Sequence, residues 1–89
     1  MSTATVSTEP LATKAWVDDR MVYIKLSDSR VFGFPASRFR RLKDAPDHLL
    51  SRVVVEVNGF ALRWEELDED ITVPGVVSGR FELPPEPDE

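Results

Sequence analysis

Residues 64–71 read WEELDEDI, with five carboxylates in six consecutive positions: Glu65, Glu66, Asp68, Glu69 and Asp70. A run of this kind can hold a hard cation, supply a catalytic acid–base pair, or present a charged contact surface. A helix–loop–helix calcium site needs oxygens at positions 1, 3 and 5, glycine at 6 and glutamate at 12. Counted from Asp68, positions 5, 6 and 12 are Thr72, Val73 and Gly79, so the spacing fails. A catalytic pair needs two carboxylates in contrasting environments, so that their pKa values part. Five acids in one solvated run offer no such contrast. The plainest reading is a connector in which Leu67 and Ile71, four apart, turn inward on one helical turn or compact loop. All five acids then face water, and Asp68 caps the following turn. The reading with more content is a recognition surface for a basic partner.

A second cluster has the opposite sign. RFRRLK places Arg38, Arg40, Arg41 and Lys43 within six residues, around Phe39. On a short helical turn Phe39 and Leu42 share the buried side, and the cations form the wet one. Such a face suits an acidic protein or a phosphate backbone, but sequence-specific readout needs base-reading groups that the segment does not supply. The sole histidine, His48, sits beside Asp47 with no Ser or Cys nucleophile motif, which makes it a surface residue rather than a catalyst. The four glycines are scattered, so no phosphate-cradling loop exists. No catalytic, cofactor-binding or metal-ligating residue is assigned, and no cofactor is expected. The candidate partner-binding residues are the four cations of RFRRLK and the five acids of WEELDEDI.

The composition narrows the classes further. The 89 residues are 42% hydrophobic and 30% charged, the profile of one small globular domain with a thin core. Cysteine is absent, which removes disulfides, thiolate catalysis and cysteine-bound zinc, and favours the cytoplasm. No apolar run approaches the roughly 20 residues that span a bilayer. The start, MSTATVSTEPLAT, lacks the basic and apolar regions of a signal peptide. The net charge of −5 is uneven: residues 1–45 hold eight Lys or Arg against five acids, whereas residues 46–89 hold three against eleven. That acidic second half argues against nonspecific nucleic-acid binding over the whole surface.

The elements that must carry these clusters are short. Val22, Ile24 and Leu26 alternate with Met21, Tyr23 and Lys25, a strand pattern flanked by turn residues at 18–20 and 27–29. A three-stranded meander is therefore expected over Ala15–Val17, Met21–Leu26 and Arg30–Phe34, ended by Pro35. One or two short helices follow, the second capped by Asp44, with Pro46 and Asp47 in its first turn and Leu49 and Leu50 as anchors. VVVEVNGFALRW then reads as a hairpin on a type I′ Asn58-Gly59 turn. Its register sets Val57 opposite Phe60, Val55 opposite Leu62 and Val53 opposite Trp64, all on one apolar face, with Glu56 and Arg63 as a diagonal pair on the other. Pro74-Gly75 reads as a turn, after which Val76 and Val77 dock. Residues 1–13 are expected to be a flexible arm, 14–79 the domain, and 80–89 an extended acidic, proline-rich tail.

Two stretches, LSDSRVFGFP and RWEELDEDITVPGVVSG, resemble a bacterial group known as domain of unknown function 2442, with the likeness running from about Ala15 to Gly79. Ser29 stands where that family usually has glycine and Glu65 where it usually has proline, and the middle, RVVVEVNGF, is only loosely similar. The resemblance implies a small α+β fold with no established catalytic residues. It also implies partnership with other small proteins, antitoxin-like pairing having been proposed for some. Some relatives carry an added helix-turn-helix domain, for which this chain has no segment long enough.

The expected fold is thus α+β, an antiparallel meander and a hairpin with one or two short helices between them. The expected function is a non-catalytic cytoplasmic interaction module, antitoxin-like or regulatory, that binds a protein through charged surfaces. Two alternatives follow from the same charges: a small acidic inhibitor that mimics nucleic acid, and a weak nucleic-acid binder using residues 38–43. Dimerisation through an exposed strand edge is compatible with either sheet.

Overall fold

A computed structural model describes residues 10–87, so the first nine residues of the expected arm lie outside the described part. Within these residues, two antiparallel sheets and three short α-helices make an α+β domain. The first sheet is β1 (Ala12–Asp18), β2 (Met21–Leu26) and β3 (Val31–Pro35), in that spatial order. Helices α1 (Arg40–Lys43) and α2 (Asp47–Leu50) follow. The second sheet is β4 (Val54–Glu56), β5 (Ala61–Trp64) and β6 (Glu69–Thr72), also in order, and α3 (Val73–Val77) comes after it.

The meander forms as its alternation requires. Val22, Ile24 and Leu26 are buried on one face of β2, with Phe34 beside them from β3. β1 starts earlier than its apolar residues suggested: Ala12 already pairs with Leu26 and is buried, with a register irregularity between Ala12 and Lys14. The β1–β2 turn is tight, with Asp19 at φ 50° and Arg20 at φ 63°. An arginine in that left-handed region costs about 1–2 kcal/mol. Its side chain offsets the strain by donating to the carbonyls of Leu42, Lys43 and Ala45 and to the Asp47 carboxylate, 2.7 to 3.1 Å away. Arg20 therefore ties the hairpin to the end of α1 and the start of α2.

Around the helices the local chemistry differs from expectation at one point. Asp44 closes α1 rather than capping α2; Pro46 is the residue that precedes α2, and no side-chain cap is present there. Asp47 does occupy the first turn of α2, where a carboxylate favours the dipole. Phe39, Leu42 and Leu50 are buried, Leu49 half-buried and His48 exposed.

The β4–β5 hairpin keeps the expected register, with Val55 opposite Leu62, but only along its stem. Asn58 (φ 54°, ψ 37°), Gly59 (φ 93°) and the Phe60 N–H bond to the Val57 carbonyl match the type I′ turn that Asn-Gly favours. However, Val57 itself adopts φ 54° and Phe60 a helical conformation, so both leave the ladder and face solvent instead of the core. Gly59 between them packs so closely on β1 that an added Cβ would lie 2.5 Å from the Ala12 carbonyl oxygen. Glu56 opposes Ala61 and makes no ion pair with Arg63.

Both inner faces close on one core: Val22, Ile24 and Phe34 from the first sheet, Leu62, Trp64 and Ile71 from the second, and Leu42, Leu50 and Val76 from the helices. The Trp64 indole N–H, buried with its ring, donates to the Leu50 carbonyl at 2.8 Å. The region expected to be a solvated tail from residue 80 begins later. Phe81 packs on Phe34 and Phe39, with centroids 5.8 and 5.7 Å away, and the Glu82 and Leu83 N–H groups donate to the Arg38 carbonyl.

Candidate interaction surface

The acidic run is a strand entry rather than a free loop. Glu65–Leu67 form a single 3-10 turn, Asp68 reverses the chain in the left-handed region (φ 51°, ψ 46°), and Glu69–Thr72 pair with β5. Asp68 ends one turn rather than capping the next. A strand alternates its side chains, so Glu69 and Ile71 point inward while Asp70 and Thr72 point outward. Leu67 and Ile71 do reach the core, as expected, but one of the five acids, Glu69, does not face water. Glu69 is only 8% exposed. Burial, and then the nearby Glu82 carboxylate, push its carboxyl above the ordinary glutamate range, against a smaller lowering by Arg41.

The remaining acids are largely claimed by arginines of the same domain. Arg63 stands opposite Asp70 in the β5–β6 ladder and bonds its carboxylate at 2.7 Å. The same guanidinium holds Glu65 at 2.9 Å and Asp68 at 3.3 Å. These three carboxylates raise the Arg63 pKa and keep the group charged. Arg52 bonds Glu66 at 2.8 Å, and the backbone N–H of Glu66 together with that guanidinium holds the carboxyl below its usual range.

The basic turn is similarly engaged. Arg41 donates to the Asp68 carbonyl at 2.7 Å and lies 3.5 Å from the Asp68 carboxylate, so the two candidate clusters meet in one seam. Arg38 stacks 4.0 Å over the Phe81 ring and donates to the Leu83 carbonyl at 2.8 Å. The Arg40 backbone N–H donates to Glu82, while its exposed side chain has no carboxylate partner among the described residues. Lys43 lines an open cavity of about 420 Å³ with Arg20, Met21, Pro35, Asp44 and Glu86. Among the described residues no three of His, Asp and Glu converge to hold a metal ion.

Of the nine candidates, Arg41 and Asp68 meet in the seam, Glu65 and Asp70 join Asp68 on Arg63, and Glu66 pairs with Arg52. Glu69 is buried, while Arg38, Arg40 and Lys43 make their contacts elsewhere. Sequence reasoning missed Arg63, Arg52 and Arg20. The signal for Arg63 was the alternation Glu69-Asp70-Ile71-Thr72, which makes a strand facing β5. Acidic residues are depleted in strands, and that depletion concealed it.

No curated protein matches the chain. It is similar to a protein of unknown function from Rhodospirillum rubrum, whose crystal structure superposes with a TM-score of 0.79 at 36% identity, over 83% of this chain and 92% of that one. An uncharacterized protein from Chromobacterium violaceum, solved by NMR, shares the fold at a TM-score of 0.69 and 18% identity, over 79% of this chain and 66% of that one. A family model covers residues 12–82, β1 through Phe81 and Glu82, which is the same span that closes the core. The chain therefore belongs to the family described as Protein of unknown function (DUF2442).

Proposed function

We propose that this protein is a non-catalytic cytoplasmic interaction module, antitoxin-like or regulatory, that binds a protein partner through the charged seam. The observation that carries this reading is the Arg41–Asp68 contact, which joins the basic turn and the acidic run into one surface. Arg41 and Asp68 remain 57% and 80% exposed there, so the seam is open to a partner as well as internally paired. It carries both signs, which suits a partner of complementary charge and gives specificity more than raw affinity. Glu69 and Asp70 differ in environment but point to opposite sides of β6, so they do not converge on one substrate. The acidic-mimic reading loses force because each of the four exposed acids is already ion-paired to Arg63 or Arg52. Carboxylates held by the domain's own arginines are less free to stand in for a phosphate row.

The test is a tagged pull-down from native lysate after nuclease treatment, quantified by mass spectrometry. One stoichiometric protein is expected, and its recovery should fall when Arg40→Glu and Lys43→Glu reverse two cations of the basic turn that hold no carboxylate among the described residues. Recovery unchanged by that reversal rejects the seam as the contact. Nucleic acid recovered only without nuclease shifts the reading to residues 38–43 as a nucleic-acid site.

A further inference from the structure

The outward face of the first sheet consists of three rows across β1, β2 and β3. Lys14, Lys25 and Val31 form one row, Trp16, Tyr23 and Gly33 the next, and Asp18, Met21 and Pro35 the third. Tyr23 lies over Gly33, where an added Cβ would come within 2.8 Å of its ring. Trp16 stacks beside Tyr23 at 5.6 Å between centroids, with the planes 23° apart, and the Lys14 ammonium sits 5.3 Å from the Trp16 ring centre. Val31 is 57% exposed. Lysines directly opposite one another in a ladder destabilise it. Among the described residues neither Lys14, Lys25 nor Asp18 has an ion-pair partner. Cations at one end, an acid at the other and aromatics between them make a face that is unsatisfied within the monomer.

We propose that this face is the contact surface of a weak two-fold homodimer. A two-fold axis lying along the Trp16–Tyr23–Gly33 row turns each end row onto the opposite end row of the second copy. Lys14 of each copy then meets Asp18 of the other, the Lys25 stem meets Met21, Val31 meets Pro35, and the aromatic row packs on its own equivalent. Self-complementarity of this kind is what an isologous contact requires. An acidic peptide or a nucleic acid would answer the lysines but would be repelled by Asp18 and its neighbour Asp19. The face measures about 14 by 17 Å from strand spacing and rise. That is small for a stable interface, so the dimer forms in a concentration-dependent way.

Sedimentation of the full chain from about 10 μM to about 1 mM reads this directly. The expected result is a shift from monomer to dimer across that range. Lys14→Glu alone and Asp18→Lys alone should each weaken association by about tenfold or more, because each sets like charges in contact. An equimolar mixture of the two variants should recover it, since every swapped charge then faces its opposite. That recovery also shows that both variants are folded. A wild-type chain that stays monomeric at the top concentration overturns the proposal. So does a dimer indifferent to both substitutions, or a mixture no stronger than either variant alone. A monomer that instead binds an oligonucleotide or acidic peptide, with the binding lost in Trp16→Ala, overturns it in favour of a foreign ligand. The charge-swap readout is separate from the Arg41–Asp68 seam, because neither Lys14 nor Asp18 takes part in it.

Discussion

Arg63 and Asp70 stand directly opposite each other on β5 and β6, with guanidinium and carboxylate 2.7 Å apart. This cross-strand pair explains how a run rich in acids can be a strand at all. The same guanidinium gathers Glu65 and Asp68 from the preceding turn, so one cation contacts three carboxylates. Arg63→Met should therefore lower the melting temperature, because Glu65, Asp68 and Asp70 would be left to repel one another. Thermal melts at low and high salt check it: the deficit should shrink as salt screens the acids. A deficit that does not change with salt would assign the effect to packing.

Glu69 makes stability depend on pH in a stated direction. Its folded-state carboxyl is raised, so the unfolded chain releases the proton first and binds fewer protons between the two pKa values. The Glu69 contribution to stability is then full below the ordinary glutamate range. It falls as pH rises through that range to the raised folded value. Glu69→Gln should be more stable than wild type at neutral pH and equal to it in acid. Urea denaturation at both pH values measures the difference.

Trp64 fixes the second sheet to α2 through its indole N–H on the Leu50 carbonyl. Trp64→Phe keeps an aromatic ring but leaves that carbonyl without its donor, at a cost of about 1–3 kcal/mol. Trp64→Ala should cost about 3–5 kcal/mol, since it also opens a cavity. Chemical denaturation of both variants separates the hydrogen bond from the volume.

Ser29 lies at φ 76°, a conformation that favours glycine. Ser29→Gly should raise stability by up to about 1 kcal/mol, the relieved strain exceeding the added chain entropy. The opposite holds at Gly59, at φ 93° with the Ala12 carbonyl oxygen in the way. There Gly59→Ala should cost at least about 1–3 kcal/mol. Calorimetric melting temperatures of the two variants should move in opposite directions.

Local pattern alone was enough for much of this molecule. The period-two alternation at Met21–Leu26, the Asn58-Gly59 turn and the inward placement of Phe39, Leu42, Leu62 and Trp64 all follow from neighbours within a few residues. The two charged clusters were equally visible, because their residues are contiguous. Tertiary structure decided what those clusters face. Whether an acid is free, paired or buried depends on Arg63, Arg52 and Arg41 arriving from other segments, and on β6 choosing β5 as its partner. Val57 and Phe60 face outward on either side of Gly59, which packs on a strand more than 40 residues earlier. Phe81 packs against the core, despite its polar neighbours in the sequence, by contact with Phe34 and Phe39 under the Arg38 guanidinium. Such outcomes depend on burial and contacts between distant segments, which a local reading of residue types does not contain.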